Sequence, residues 1–166
     1  MRGVKSKGFG GLDVFDKKTR SKIMSRVKQK DTKPEMIVRR ILHGMSYRFR
    51  LHRKDLPGKP DIVLPKYKAV IFVYGCFWHG HDCPRGKLPG TRREFWENKI
   101  SGNRERDLRV EKELEALGYR IAIVWQCRIK DKEELSTELR QFLDGGAGHG
   151  AKAEAGRSGK TASAAG

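Results

Sequence analysis

The sequence predicts one α/β domain in which helices flank a small mixed β-sheet. Its 166 residues suit a single hydrophobic core, which usually fills at about 100 to 200 residues. Helix and strand signals follow in the order α, β, β, β, α, β, α, without an internal repeat. A long helical connection makes the fourth strand parallel to the third, whereas short connections make the first three strands antiparallel.

Capping signals and apolar spacing predict the N-terminal helices. A basic helix begins after Asp16 or Thr19 and ends near Lys28. The segment Thr32-Lys33-Pro34-Glu35 is typical of a capping box and predicts a second helix that ends at Gly44. The residues expected on the buried face of this second helix are Ile37, Ile41 and Leu42.

Four short apolar segments predict strands at residues 47–51, 61–64, 69–73 and 119–125. If residues 66–68 form the loop of the second hairpin, its antiparallel register places Asp61 opposite Val73.

Three helices are predicted after the third strand. Thr91-Arg92-Arg93-Glu94 indicates a second capping box and a helix through Ile100. Another helix covers residues 103–117, and the last one starts at Asp131 with Glu134 as its capping partner.

The charge distribution predicts a polyanionic partner. The chain has 37 Lys and Arg residues against 20 Asp and Glu residues, a net charge of +17. Residues 1–12 carry +3 and residues 145–166 carry +2, which leaves +12 on residues 13–144. A basic folded body of this kind favours nucleic acid over a neutral metabolite as the partner.

Composition divides the chain into a flexible basic N-terminal extension at residues 1–12, a folded domain at 13–144 and a disordered low-complexity tail at 145–166. Because no apolar run approaches the about 20 residues of a spanning helix, we expect a cytoplasmic protein. Three cysteines are an odd number for a disulfide framework, so we expect reduced thiols available to a metal.

Asp61 is the first candidate metal ligand, because Pro60 prevents a helix and sets this carboxylate at the start of a strand. Val73 offers no side-chain oxygen, but its backbone carbonyl can coordinate a hard cation. The alternative for Asp61 is a turn residue that accepts hydrogen bonds from local N–H groups.

The segment Gly75–Cys83 holds two thiols, two imidazoles and two large rings just beyond a strand. Its soft ligands suit zinc, and Cys127 at the end of the neighbouring strand can complete a tetrahedral set. The set uses either His81 or His79, and the imidazole left over is a candidate proton donor or acceptor beside Asp61. Ordinary buried thiols are the alternative.

Other residues have a structural explanation as good as a functional one. Three rings in basic, loop-proximal surroundings are candidate wedges into a base stack, although each could be a core residue. These rings are Phe77, Trp78 and Trp96. Glu35 can simply close the capping box, while Asp107 and Asn103 share a helix face on which Asp107 can form surface ion pairs with arginines.

Taken together, Gly58-Lys59-Pro60-Asp61, the run from Gly75 to His79 and Thr91-Arg92-Arg93-Glu94-Phe95-Trp96 resemble the very short patch repair endonucleases. The resemblance covers residues 13–143 and includes the Asn103-x-x-Arg106-Asp107 and Val124-Trp125-x-Cys127 segments.

The resemblance implies a restriction-endonuclease-like core with a structural zinc site, and Mg2+-dependent nicking of one DNA strand. The nick would lie 5′ to the thymine of a T:G mismatch left by 5-methylcytosine deamination. The implied partner is duplex DNA, bound by a monomer that is associated with the nucleoid and functionally linked to a cytosine-5 DNA methyltransferase.

The resemblance also implies a role for each matching residue. Asp61 and the Val73 carbonyl would bind Mg2+, and His79 would be the general acid or base. Glu35 and Asp107 would organise water and the active-site network. The implied zinc ligands are Cys76, His81, Cys83 and Cys127, and the implied DNA-binding residues are Phe77, Trp78, Trp96 and Asn103.

Tyr74 departs from the family pattern, which carries a second active-site histidine at this position. A tyrosine can form a hydrogen bond with water but cannot take its proton at neutral pH. Proton transfer is then left to His79 or to hydroxide on the metal. Two other functions fit the same residues: a restriction-type endonuclease that cuts matched DNA, and a non-catalytic zinc-containing DNA-binding module.

Overall fold

The protein folds into a five-stranded mixed sheet with helices on both faces. The structure is a computed structural model that describes residues 30–145 and the backbone of residues 153–155. The predicted basic helix near residues 16–28 and the N-terminal extension lie outside the described residues. The elements are α1 Lys33–Gly44, β1 Arg50–Leu51, β2 Ile62–Leu64, β3 Ala69–Tyr74, α2 Arg93–Ala116, β4 Arg120–Trp125, α3 Lys132–Asp144 and β5 Ala153–Ala155, with short 3-10 turns at Pro65–Tyr67, Pro84–Gly86 and Arg128–Lys130.

The capping box that opens α1 is confirmed. Thr32 Oγ1 accepts a hydrogen bond from the Glu35 N–H, and Glu35 Oε1 accepts one from the Thr32 N–H at 3.3 Å. The predicted buried face was wrong in part, because Ile37 and Ile41 are only half-buried. The helix instead buries Glu35, Val38, Arg39 and Leu42. A glutamate and an arginine can lie on the core side because they form an ion pair there.

The strands lie in the order β1-β2-β3-β4-β5, with the first three antiparallel and the last three parallel. The parallel pairing of β4 with β3 confirms the prediction from the long helical connection. The predicted hairpin register was wrong by one residue. Leu64 rather than Pro65 faces Ala69, because a 3-10 turn followed by Lys68 at a φ of 47° adds one residue to the loop.

The two helices predicted over residues 91–117 form one continuous helix, α2. The helix runs through Gly102, where an added Cβ would meet no atom within 4 Å. A glycine in a helix interior costs about 1 kcal/mol relative to alanine, and the helix continues in spite of this cost. The predicted second capping box is also absent. Arg92 is the N-cap residue with a φ of 53°, and no side chain caps the first turn. By contrast, α3 is capped as predicted, with the Asp131 side chain accepting from the Glu134 N–H at 2.9 Å.

Alternate residues of the strands pack on opposite faces of the sheet. One face packs against α1 and α3, and its core includes Leu42, Ile71 and Leu139. The other packs against α2 through Phe72 and Leu114. The backbone strand β5 extends the β4 edge and lies within the segment that composition assigned to a tail.

Among the described residues, none of the helices has the length and apolar character needed to cross a bilayer.

Candidate active site

Asp61 immediately precedes β2, with its side chain directed at the neighbouring strand. Its Oδ2 accepts a hydrogen bond of 2.7 Å from the Val73 N–H, so its partner is a strand residue rather than a local turn. Burial raises the pKa of Asp61 to about 6, the Val73 N–H lowers the pKa, and the nearby Glu35 carboxylate raises it.

Glu35 is 3% exposed and serves two purposes in the structure. It closes the capping box of α1, and its Oε2 accepts a hydrogen bond of 2.9 Å from Arg39 Nη2. It also acts electrostatically on Asp61, which places the two carboxylates close together. The capping explanation is therefore confirmed, and the role of Glu35 in an active-site network stays a prediction.

His79 lies in a loop after β3 and is held on two sides. Its Nδ1 lies 2.5 Å from Asp107 Oδ2 on α2. Its ring stacks on Tyr74, with ring centroids 3.8 Å apart and planes 2° from parallel. The carboxylate fixes the tautomer of the imidazole and the stack fixes its plane.

Tyr74 connects the two halves of the site. Burial raises its pKa far above the ordinary value, and the carboxylates of Asp107, Glu111 and Asp61 raise it further. The phenol therefore stays protonated at neutral pH. The charges of Asp61 and Asp107 both act on Tyr74, which also stacks on His79, so Tyr74 links the candidate metal ligand to the candidate proton-transfer residue.

Large rings cluster beside His79. Phe77, Trp78 and Trp96 are half-buried and meet edge to face, at centroid distances of 5.1, 5.1 and 6.1 Å. Phe95, which the sequence analysis did not single out, adds an exposed ring against Trp96 at 5.2 Å. Asn103 is buried and donates from Nδ2 to the Trp78 carbonyl at 2.8 Å, so it fixes the loop that carries the rings.

Four soft ligands converge at the end of β4. The ligand atoms of Cys76, His81, Cys83 and Cys127 all lie within 4.8 Å of one another. In a tetrahedral zinc site with Zn–S distances of about 2.3 Å, ligand atoms are spaced by roughly 4 Å, so this donor set fits zinc. His81 rather than His79 belongs to the cluster, which agrees with the assignment that the resemblance implied.

The loop from Cys76 to Gly86 is folded tightly enough to bring these ligands together. The His81 N–H donates to the Cys76 carbonyl and the Cys83 N–H to the His81 carbonyl, each at 2.9 Å. A Cβ at Gly86 would lie 1.9 Å from the His81 carbonyl oxygen, so a side chain cannot fit there. Burial raises the pKa of the Cys76 thiol to about 12. A metal ion is the partner that would stabilise its thiolate in this environment.

An open cleft of about 1190 Å³ runs along these features. Tyr74, His79 and Asp107 line one part of it, and the Cys/His cluster lines another. The lining of the cleft is mixed in charge. Two arginines, Arg104 and Arg128, lie among five acids, and Arg128 pairs with Glu134 and Glu138.

The structure thus brings together most of the predicted site residues and adds two that the sequence analysis missed. Arg39 donates to Glu35, and the His52 backbone N–H donates to the Asp61 carbonyl at 3.4 Å. Arg39 follows Glu35 by four residues on α1, a spacing at which helix ion pairs are common. The four-residue spacing from Glu35 could have identified Arg39 from the sequence. His52, by contrast, is brought beside Asp61 only by the pairing of the strands.

Comparison with known proteins gives a consistent result. Residues 12–85 match the family model described as DNA mismatch endonuclease Vsr. The type II nicking enzyme V.XorIIP of Xanthomonas oryzae pv. oryzae is 52% identical over 132 residues, covering 80% of this chain and 97% of that protein. The DNA mismatch endonuclease Vsr of Escherichia coli is 46% identical over 126 residues, covering 76% of this chain and 81% of that protein.

One solved structure is also similar. It is the catalytic domain of the homing endonuclease I-Bth0305I, with a TM-score of 0.49 and 22% identity, covering 69% of this chain and 96% of that domain.

Proposed function

This chain belongs to the Vsr family of DNA mismatch endonucleases, and from that premise we propose that it nicks one strand of duplex DNA 5′ to the thymine of a T:G mismatch. The mismatch would arise when a 5-methylcytosine opposite guanine loses its amino group. The observation that carries the proposal is the position of His79. A polarised imidazole lies in the same loop as Phe77 and Trp78, and the loop borders an open cleft.

The His79–Asp107 pair defines which atom transfers a proton. Because a carboxylate only accepts hydrogen bonds, Nδ1 of His79 carries the hydrogen and Nε2 presents its lone pair. Nε2 is therefore the atom that takes a proton from an attacking water or returns one to the departing sugar oxygen. Tyr74 keeps the ring in one plane and takes no part in proton transfer.

Asp61 and the Val73 backbone carbonyl would hold Mg2+, since hard oxygen ligands suit this ion. When bound, Mg2+ supplies positive charge against the scissile phosphate and lowers the pKa of nearby water. Glu35 would help to organise water beside Asp61 through its negative charge, since both of its oxygens already accept hydrogen bonds, Oε1 from Thr32 and Oε2 from Arg39. The Cys76, His81, Cys83 and Cys127 set would hold Zn2+ as a structural ion that pins the ring-bearing loop to β4.

Selectivity for the mismatch would come from the rings, and affinity from the basic surface. A wobble pair stacks less well than a matched pair, so separating it with Phe77, Trp78 and Trp96 costs less. Lys and Arg side chains neutralise phosphates, so DNA binding weakens steeply with salt. Asn103 is buried and holds the Trp78 loop in place, so it would contribute to DNA binding through that loop.

One nick at an asymmetric lesion suits a monomer acting on chromosomal DNA in the nucleoid. The lesion itself depends on a cytosine-5 DNA methyltransferase, which is the functional partner that we propose.

A nicking assay tests the function. Three duplexes that differ only in one base pair, T:G, T:A or C:G, are labelled on each strand and incubated with the protein and Mg2+. We expect a single cut on the T-containing strand of the T:G duplex and its loss in Asp61→Ala. The matched control is Asp55→Ala, which removes an exposed carboxylate paired with Arg53 and should leave nicking unchanged.

The outcomes separate the three candidate functions. Cleavage of both strands of the T:A duplex would favour a restriction-type enzyme. Binding without cleavage, unchanged by Asp61→Ala, would favour a non-catalytic zinc-containing DNA-binding module. Either result would overturn the proposal.

A further inference from the structure

A second group of side chains near Asp61 has the spacing of a metal site. One ligand atom each from Asp31, Glu35 and His52 lies within 4.8 Å of the other two. Asp31 is the solvent side of the group, with 64% of its side chain exposed, whereas the Glu35 side chain is 4% exposed. The group therefore combines buried and accessible ligands, and it opens to solvent on one side.

Arg39 fills the space between these ligands. Its Nη1 lies 2.6 Å from Asp31 Oδ1, and its Nη2 lies 2.9 Å from Glu35 Oε2 and 3.0 Å from His52 Nε2. All three ligand atoms thus contact the same guanidinium, which is itself 9% exposed. Arg39 Nε is buried and has no hydrogen-bond partner, so the two Nη groups carry all of these contacts.

We propose that the Arg39 guanidinium is a built-in cation that occupies a divalent-cation position formed by Asp31, Glu35 and His52, and that it thereby fixes Glu35 beside Asp61. Arg39 is then a positioning residue for the reaction, so this role rests on the proposed function. The occupancy of the cation position by Arg39 is a separate claim, which can be tested without DNA.

The hydrogen-bond chemistry favours this reading of the cluster. An arginine has no acceptor, so in this contact the acceptor is Nε2 of His52. A neutral imidazole nitrogen and two carboxylate oxygens are ligands for a divalent transition-metal ion. The same atoms that now accept from Arg39 would therefore be available to a metal if the guanidinium were removed.

The charges of the region lead to the same conclusion. Asp31, Glu35 and Asp61 carry three negative charges, and Arg39 offsets one of them. The two that remain would be matched by the one divalent cation that we propose at Asp61. The effect of Arg39 reaches Asp61, because its charge lowers the pKa of that carboxyl while Glu35 raises it. Without Arg39 one negative charge is unbalanced and a ligand set is open, which favours uptake of another divalent cation.

The test counts Mn2+ ions bound per chain by isothermal titration of the full, zinc-loaded chain. We expect Arg39→Met to bind one more Mn2+ than the parent chain, because it keeps the apolar stem and removes the charge. Arg39→Lys, which restores a cation, should bind the same number as the parent. Adding Glu35→Gln to Arg39→Met should abolish the additional equivalent.

Equal Mn2+ counts for the parent and a folded Arg39→Met chain would overturn the proposal, as would an additional equivalent in Arg39→Lys. If Arg39→Met does not fold, Arg39→Gln, which is polar and uncharged, takes its place with the same two outcomes. The count is independent of nicking. If Arg39→Met gains the additional Mn2+ while the parent chain does not cut a T:G duplex, the proposed function alone is refuted.

Discussion

Replacing Asp61 with Asn should stabilise the chain in the absence of Mg2+ at neutral pH. The pKa of Asp61 rises from 3.8 to about 6 on folding, chiefly through burial. At 1.36 kcal/mol per pKa unit, keeping this carboxylate ionised above pH 6 costs the folded state about 2 to 3 kcal/mol. The Asn amide oxygen can still accept from the Val73 N–H, so the substitution removes the charge and keeps the hydrogen bond.

The pH dependence gives the sign of the effect. Between pH 3.8 and about 6 the folded state binds more protons than the unfolded state, so the parent chain loses stability as the pH rises through this window. The gain from Asp61→Asn should therefore be full at pH 7.5 and smaller at pH 5. Urea denaturation of both chains at the two pH values measures it.

Asp55→Asn is the control, because that carboxylate is exposed and Arg53 lowers its pKa. It should change stability little, and in the opposite direction. The reasoning fails if Asp61→Asn is no more stable than the parent at pH 7.5, or if its advantage is the same at both pH values.

Three more predictions concern the proposed roles of the site residues. Phe77→Ala and Trp78→Ala should each reduce the ratio of T:G nicking to T:A nicking by roughly tenfold, because a stacking ring contributes about 1 to 3 kcal/mol. Binding to matched DNA, measured in a competition assay, should fall less. Equal losses in nicking and in binding would contradict the proposal that the rings wedge into the base stack. Cys127→Ser should lower both the bound zinc measured by atomic emission and the thermal midpoint, because one of four ligands is lost; unchanged zinc content would refute the ligand set. The Mg2+ concentration for half-maximal nicking should fall as the pH rises through about 6, because the ionised form of Asp61 binds the cation; a requirement that stays constant from pH 5.5 to 7.5 would contradict this.

The parts of the fold that could be predicted depend on local chemistry. The caps at Thr32 and Asp131 are formed within four residues, so the sequence contains all of their atoms. The pairing of β4 with β3 follows from the length of the connection between them. The convergence of Cys127 with the Cys76–Cys83 segment follows in turn from that pairing, because both lie just beyond the same ends of two parallel strands.

The errors occurred where long-range packing decides the outcome. Whether Lys68 adopts a left-handed conformation depends on the hairpin as a whole, and that single residue shifted the register. Two helices were predicted, one through Ile100 and one from residue 103, yet α2 is continuous, and its buried residues Ile100 and Leu114 anchor it on either side of Gly102. Burial of Arg39 could not be predicted from apolar periodicity, because an arginine becomes a core-facing residue only when its acidic partners are in place.

Tyr74 shows how a change in chemistry can preserve the geometry of a site. A histidine at this position would offer a second titratable ring, whereas Tyr74 offers a flat ring that lies 3.8 Å from His79 and stays protonated. The stack still orients His79, and Asp107 still fixes its tautomer. In the proposed reaction His79 is therefore the ring that transfers the proton, and Tyr74 supports it.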